Sequence, residues 1–216
     1  MNIQNKSSKN SLEFKSIDYQ LQPYTNPELI KENGPQVFRS GSGVEVKDID
    51  GNSYMEGMSG LWCASLGFSE IELVEAAITQ MKKLPFYHSF TGKTCESTIN
   101  LSEKLIEIAP NNLKKIFFCN SGSEANDTAI KIVWYYHASL GNPQKRKIIS
   151  RKGSYHGVTL AAASLTALDY AQKGFGLPLD FAIHTTWPHY FQNSNENESE
   201  EDFCNRLVSD LEKLIE

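Results

Sequence analysis

Between Glu70 and Leu84 the apolar residues fall at Ile71, Val74, Ala77, Ile78 and Met81, with Pro85 just beyond. That spacing predicts an amphipathic helix closed by the proline. A second helix is expected from about Glu96 to Ala109, stopping at Pro110. A third should run to about Leu140, with Gly141 as its cap and Pro143 after it. Short apolar runs alternate with these helices: KKIFFC at 114–119, KIIS at 147–150 and FAIHTT at 181–186 read as buried strands. TLAAASLTAL at 159–168 reads as a helix of small residues. The polar stretch FQNSNENESEED reads as a loop leading to a last helix, with Ser199 to Asp202 as its capping box and Ile215 near its end. Strands alternating with helices predict an α/β domain with a largely parallel sheet.

The N-terminal part is organised differently. VEVKD at 44–48 alternates apolar and polar residues, IDGN supplies turn chemistry, and SYMEG follows, so a β-hairpin is expected. Asp48-x-Asp50-Gly51 lacks the further oxygen ligands and final Glu of a calcium loop, and is read as the hairpin turn. LQPYTNP at 21–27 reads as an extended segment punctuated by proline, and MSGLWCASLGFS at 58–69 as a small-residue loop carrying Trp62. Residues 1–11, rich in Asn, Ser and Lys, are expected to be disordered. The expected division is then 1–11, an N-terminal segment with the hairpin over 12–67, and the first part of a large domain over 68–216.

Composition narrows the function classes. The 216 residues carry a net charge of −5, which gives no footprint for nucleic acid or an anionic membrane. No apolar run is long enough to span a bilayer, and the N-terminus shows no secretory signal, so the cytoplasm is the expected compartment. Cys63, Cys95, Cys119 and Cys204 form no C-x-x-C pair. Neither a zinc site nor a disulfide framework is supported, no metal is expected, and three of the four are read as buried thiols.

Candidate chemistry sits at NSGSEAND, residues 120–127, between the apolar run and the third helix. A helix start carries unpaired N–H groups and partial positive charge, so a phosphate placed there gains hydrogen bonds and dipole stabilisation together. Gly122 lets it approach, and Ser121 and Ser123 add hydroxyls. Ser121-x-x-Glu124 equally fits a capping box, and the turn alone does not choose. It matches neither a P-loop nor G-x-G-x-x-G. The segment RKGSYHG at 151–157 follows the next strand and should end on the same sheet edge, where Tyr155 or His156 can stack on a flat ring. A phosphate cradle beside an aromatic platform suits pyridoxal phosphate.

NSGSEANDTAIKIVWYYHA followed by KRKIISRKGSYHGVTLAAASLT resembles the class III aminotransferases, pyridoxal-phosphate enzymes of fold type I, on their ω-amino acid and amine–pyruvate branch. DGNSYMEGMSGLWCASLGF, LPFYHSF and GFGLP resemble the same branch, and the likeness runs from about Leu21 onward. The resemblance implies that Ser121, Gly122 and Ser123 hold the cofactor phosphate. It implies that Tyr155 stacks on the ring, with His156 and Gly157 shaping the turn beneath. It places Tyr24, Leu61 and Trp62 in the substrate pocket, and has Phe90 and Thr91 reach the neighbouring subunit's site in a homodimer. The expected partners are an amine or amino acid and a keto acid, with no nucleic acid and no membrane. The Schiff-base lysine, the carboxylate for the ring nitrogen and the substrate arginine are implied to lie beyond Glu216, so the chain is expected to be an N-terminal half, inactive alone. Lys152 is on the wrong element for the lysine's role. Alternatives from the same reading are another class III member, such as an ornithine-type aminotransferase or an aminomutase, or a catalytically dead truncated chain. Leu61-Trp62-Cys63 favours bulky or carboxylate-free amines.

Overall fold

The computed structural model describes residues 9–216. Most of the segment expected to be disordered, residues 1–8, lies outside them. The chain divides into two compact units, Met1–Ile99 and Asn100–Glu216.

The first unit opens with two short helices that the sequence reading did not anticipate, α1 (Leu12–Tyr19) and α2 (Pro27–Asn33). Both start on capping chemistry. Ser11 Oγ accepts from the Phe14 N–H at 3.1 Å, and Asn26 Oδ1 accepts from the Glu28 N–H at 3.0 Å, with Pro27 at the first helical position. An antiparallel sheet follows in the order β1 (Phe38–Ser42), β2 (Glu45–Asp48), β3 (Ser53–Met55). The expected hairpin is β2–β3, in which Val46 faces Tyr54. Its turn is built on Asp48, whose carboxylate accepts from the Asp50 and Asn52 N–H groups, the Asn52 amide and the Tyr54 hydroxyl, all at 2.9–3.0 Å. The Asn52 side-chain bond leads in holding this carboxyl below the ordinary Asp range. Oxygens committed to four donors are turn chemistry rather than cation ligands. Strand β1 pairs with β2 although FRSGS lacks an apolar alternation. Beyond a short turn, α3 (Ser59–Trp62), comes α4 (Ile71–Lys83), and α5 (Glu96–Ile108) carries the boundary of the two units in its first turn.

In the second unit the run KKIFFC is not a strand. Residues 114–119 join no ladder among the described residues, and Phe117 is 70% exposed. A short apolar run signals burial, but a strand also needs a partner, and here the two remaining strands pair with each other. Helix α6 (Gly122–Ser139) follows, ending at Leu140 with Gly141 at φ +80°. Strands β4 (Ile148–Arg151) and β5 (Ala182–Thr185) pair in parallel, Ile148 beside Ala182 through Arg151 beside Thr185. Between them run α7 (Leu160–Leu165) and α8 (Asp169–Gln172). The Ala-Ala-Ala-Ser run lets α7 lie close on both strands, and Ala162, Ala163, Leu165, Ser164 and Thr166 are buried there. Ser150 Oγ donates to the Leu165 carbonyl at 2.8 Å, tying β4 to the end of α7. Gln172 caps the same end, its amide donating to the Ala163, Ser164 and Thr166 carbonyls.

After the short α9 (Tyr190–Asn193), α10 (Glu200–Ile215) starts on the expected cap, with the Asp202 N–H donating to Ser199 Oγ at 3.1 Å. All four cysteines are free, but none is buried: Cys63 and Cys204 are exposed, Cys95 and Cys119 half-buried. Cys63 follows a surface turn and Cys204 lies on the outer side of α10, so the expectation of buried thiols fails there.

Arg206 of α10 grips Glu198 with two bonds, Nε to Oε1 at 2.7 Å and Nη2 to Oε2 at 2.8 Å, and also donates to the Asn193 carbonyl. The Arg206 hydrogen bond leads in holding Glu198 at about 2, far below its ordinary 4.5. A depressed carboxylate stabilises the fold fully above its ordinary value, and that stability is lost as pH falls from there through about 2. Arg206→Met should therefore lower the melting temperature at pH 6, and the gap to wild type should shrink on acidification to pH 3. Melting curves at the two pH values check this; a gap of constant size would show the pair carries no pH-dependent stability.

Candidate functional site

Ser121, extended at φ −154°, is the N-cap of α6, and its hydroxyl accepts from the Glu124 N–H at 3.1 Å. Glu124 turns back to accept from the Asn120 N–H at 3.0 Å and the Asn120 amide at 3.2 Å. The capping chemistry is thus present, reaching one residue further back than the usual box. It does not consume the anion-binding capacity. The amides of Gly122 and Ser123 have no partner among the described residues, and a Cβ built on Gly122 would meet nothing within 4 Å. An 18-residue helix therefore presents open space and free donors at its positive end. A phosphate ester fits that turn.

The second element is the loop after β4. Lys152 N–H continues the ladder to the Thr185 carbonyl at 2.9 Å, and the chain then turns at Gly153, φ +72°. Tyr155 stands 53% exposed, its ring available to a ligand face. His156 N–H donates to Thr166 Oγ1 at 2.8 Å, and that hydroxyl donates to the Gly157 carbonyl at 3.1 Å. Thr166 is fully buried, so this loop is anchored from inside the unit.

The loop and the helix start are also joined directly. Ser123 Oγ accepts from the Val158 N–H at 3.0 Å, and the Asn126 amide donates to the His156 carbonyl at 2.6 Å. Asp127 Oδ1 accepts from Thr159 Oγ1 at 2.7 Å and from the Ala162 N–H at 3.0 Å. Gly157, at φ +130°, lies so close that an added Cβ would stand 2.5 Å from Ser123 Oγ and 2.9 Å from Ser123 Cα. The expected set Ser121, Gly122, Ser123, Tyr155, His156 and Gly157 thus gathers on one part of the second unit. Asn126, Asp127 and Thr166 carry no site role in the sequence analysis. Ser123, Asn126 and Asp127 stand at i, i+3 and i+4, a polar row on one helix face that is itself a readable signal. An open groove of about 490 Å³ runs along α6 and β4 beside Asn126, Ser150, Arg151 and His156, but Tyr155 and Ser121 to Ser123 do not line it.

The expected substrate residues Tyr24, Leu61, Trp62, Phe90 and Thr91 all belong to the first unit. Seven described non-glycine residues have positive φ, and four of them are Tyr24, Leu61, Trp62 and Thr91. Ser59 to Trp62 make a left-handed turn, with φ between 51° and 70°. Such geometry costs L-residues about 1–2 kcal/mol each and must be held by its surroundings. The Glu56 carboxylate does part of this, accepting from the Met58 N–H at 3.0 Å and the Gly60 N–H at 2.6 Å. Leu61 and Trp62 are 66% and 77% exposed on it. No cluster of three or more metal-ligating side chains occurs among the described residues, and no helix there is long and apolar enough to cross a membrane.

Residues 30–216 match the family model for class-III aminotransferases. The chain is 48% identical over 182 residues to a vanillin aminotransferase of Capsicum frutescens, covering 84% of this chain and 40% of the relative. It is 45% identical over 196 residues to the mitochondrial gamma-aminobutyrate transaminase 1 of Oryza sativa subsp. japonica, covering 90% of this chain and 38% of that one. Among solved structures, an omega transaminase from Pseudomonas jessenii in complex with PMP superposes with a TM-score of 0.93 at 51% identity, over 95% of this chain and 45% of the other. A PMP-bound aminotransferase from Vibrio fluvialis superposes with a TM-score of 0.93 at 41% identity, over 97% of this chain and 46% of its own. The chain thus spans about two-fifths of the length of the curated relatives it matches.

Proposed function

We infer from one premise, that this chain belongs to the class-III aminotransferase family, that it is the cofactor-gripping part of an ω-transaminase. The cofactor is pyridoxal phosphate. The reaction moves an amino group from an ω-amino acid or amine to pyruvate or a similar keto acid. One observation carries the reading: the open start of α6, with free donors at Gly122 and Ser123, is clasped to the loop that presents Tyr155.

Pyridoxal phosphate supplies a carbonyl that takes up the amino group and a ring that draws off electrons. The α6 amides and the Ser121 and Ser123 hydroxyls would hold its phosphate at the positive end of the helix. Tyr155 would supply the aromatic platform for the ring, on the turn that His156 and Gly157 shape. Tyr24, Leu61, Trp62, Phe90 and Thr91 shape the amine pocket, Phe90 and Thr91 across a homodimer interface. The strained backbone at four of these five supports that role, since such strain clusters at ligand sites.

The test uses the native protein that contains this chain, saturated with pyridoxal phosphate and offered pyruvate with a panel of ω-amino acids and arylalkyl amines. Alanine should form, and removal of the cofactor should abolish it. A cofactor-saturated protein that makes no alanine with any donor would sink the transaminase reading.

A further inference from the structure

Helix α7 begins without a cap of its own: the side chain of its N-cap residue, Thr159, bonds no α7 amide. The acceptor comes from elsewhere. Asp127, half-buried on α6, takes the Ala162 N–H at 3.0 Å and the Thr159 hydroxyl at 2.7 Å on the same oxygen. Four and one residues earlier on the same face, Ser123 and Asn126 hold the Val158 N–H and the His156 carbonyl. Three side chains of one helix face therefore bind three of the four residues 156–159, namely His156, Val158 and Thr159, and the first turn of the next helix.

We propose that Asp127 is a positioning residue for the cofactor: by capping α7 from α6 it fixes the Tyr155 loop to the phosphate-binding turn. It acts through this loop and does not touch the cofactor. The physical need is specific. Ser123 belongs both to the phosphate turn and to the row that grips the loop. The helix start and the ring platform must keep a fixed separation, or one ligand cannot meet both. Hydrogen bonds to a carboxylate are stronger than neutral ones, and this one closes an α7 terminus that otherwise leaves the N–H of the buried Ala162 unpaired. Thr159 and Asp127 lie 32 residues apart, so neither local segment encodes the contact alone. The proposal rests on the pyridoxal-phosphate reading above.

The experiment compares wild type with Asp127→Ala, Asp127→Asn and Arg206→Met in the native protein. Two quantities are read: the dissociation constant for pyridoxal phosphate, from the visible circular dichroism of the bound cofactor well below the melting temperature, and hydrogen exchange at the Ala162 amide. Asp127→Ala should weaken cofactor binding on the order of tenfold and speed exchange at Ala162. Asp127→Asn keeps an acceptor oxygen and should restore most of both. Arg206→Met weakens the fold at α10, far from this loop in the chain, and should leave affinity unchanged; that separates positioning from general destabilisation. Wild-type affinity in Asp127→Ala overturns the proposal, as does an equal loss in Asp127→Asn or in Arg206→Met. Wild type that binds no pyridoxal phosphate overturns the functional reading instead, while the exchange rate at Ala162 still shows whether Asp127 caps α7.

Discussion

Gly157→Ala should strip the protein of cofactor affinity and destabilise the second unit. At φ +130° the backbone lies in a region nearly closed to L-side chains, which alone costs about 1–3 kcal/mol. The added methyl then meets Ser123 Oγ at 2.5 Å, and Ala162 Cβ and Ser123 Cα at 2.9 Å. A hydroxyl can rotate away, but the Ser123 backbone and α7 cannot, so the loop must lift off the start of α6. Affinity for pyridoxal phosphate should fall by more than about tenfold, since 1.4 kcal/mol already accounts for that much. Gly141→Ala is the internal control. It also sits at positive φ, +80°, yet a Cβ there meets nothing within 4 Å, so it carries a conformational cost and no clash. Adding Ser123→Ala to Gly157→Ala should not restore affinity, because the overlaps with Ser123 Cα and Ala162 Cβ remain and the acceptor for the Val158 N–H is lost; a double-mutant cycle reads this coupling. Equal effects of the two glycine substitutions would show that the close approach of loop and helix is not needed.

Thr166→Val is expected to be the second severe change. The residue is fully buried, and its hydroxyl both accepts from the His156 N–H and donates to the Gly157 carbonyl. Valine keeps the shape and removes both bonds, leaving two backbone groups without a partner inside the loop. Each unpaired group costs about 1–3 kcal/mol, so a loss of about 2–6 kcal/mol is expected for the two. For a chain of this size, at about 2–4 °C per kcal/mol, that is a fall in melting temperature of about 4–24 °C. Thr166→Ser keeps the hydroxyl and should lose far less. If the valine and serine variants melt together, the hydroxyl does not anchor the loop.

The contrast between these residues shows what the sequence could and could not reveal. Helices α4, α5, α6 and α10 were legible because periodicity, caps and flanking prolines agree, and the β2–β3 hairpin because Asp48 to Asn52 carry their own turn chemistry. Even there, periodicity marks a face without saying what covers it: Ile71 and Met81 of α4 are 62% and 64% exposed. Strand β1 was missed because FRSGS has no alternation, its pairing being supplied by β2. Helices α1 and α2 were missed although Ser11 and Asn26-Pro27 are caps of the ordinary kind; polar residues and prolines outweighed them. KKIFFC was read as a strand because its residue types suit one, and residue types do not include a partner. At the site, Gly122 and Tyr155 stood out by their type and place. Thr166 and Asn126 did not, because their work is done by contacts 9 to 30 residues away in the chain.

The row Ser123, Asn126, Asp127 has one further consequence, for the length of the chain rather than its composition. A helix is a screw that turns 100° and climbs 1.5 Å per residue. One residue inserted between Gly122 and Ser123 would keep every side chain of the row and aim all three a quarter-turn or more away from the loop. The same insertion near Ser139 would leave the row in place. The spacing from the phosphate turn to Asp127 is therefore a gauge, and the first two turns of α6 tolerate no change of length even where they tolerate a change of residue.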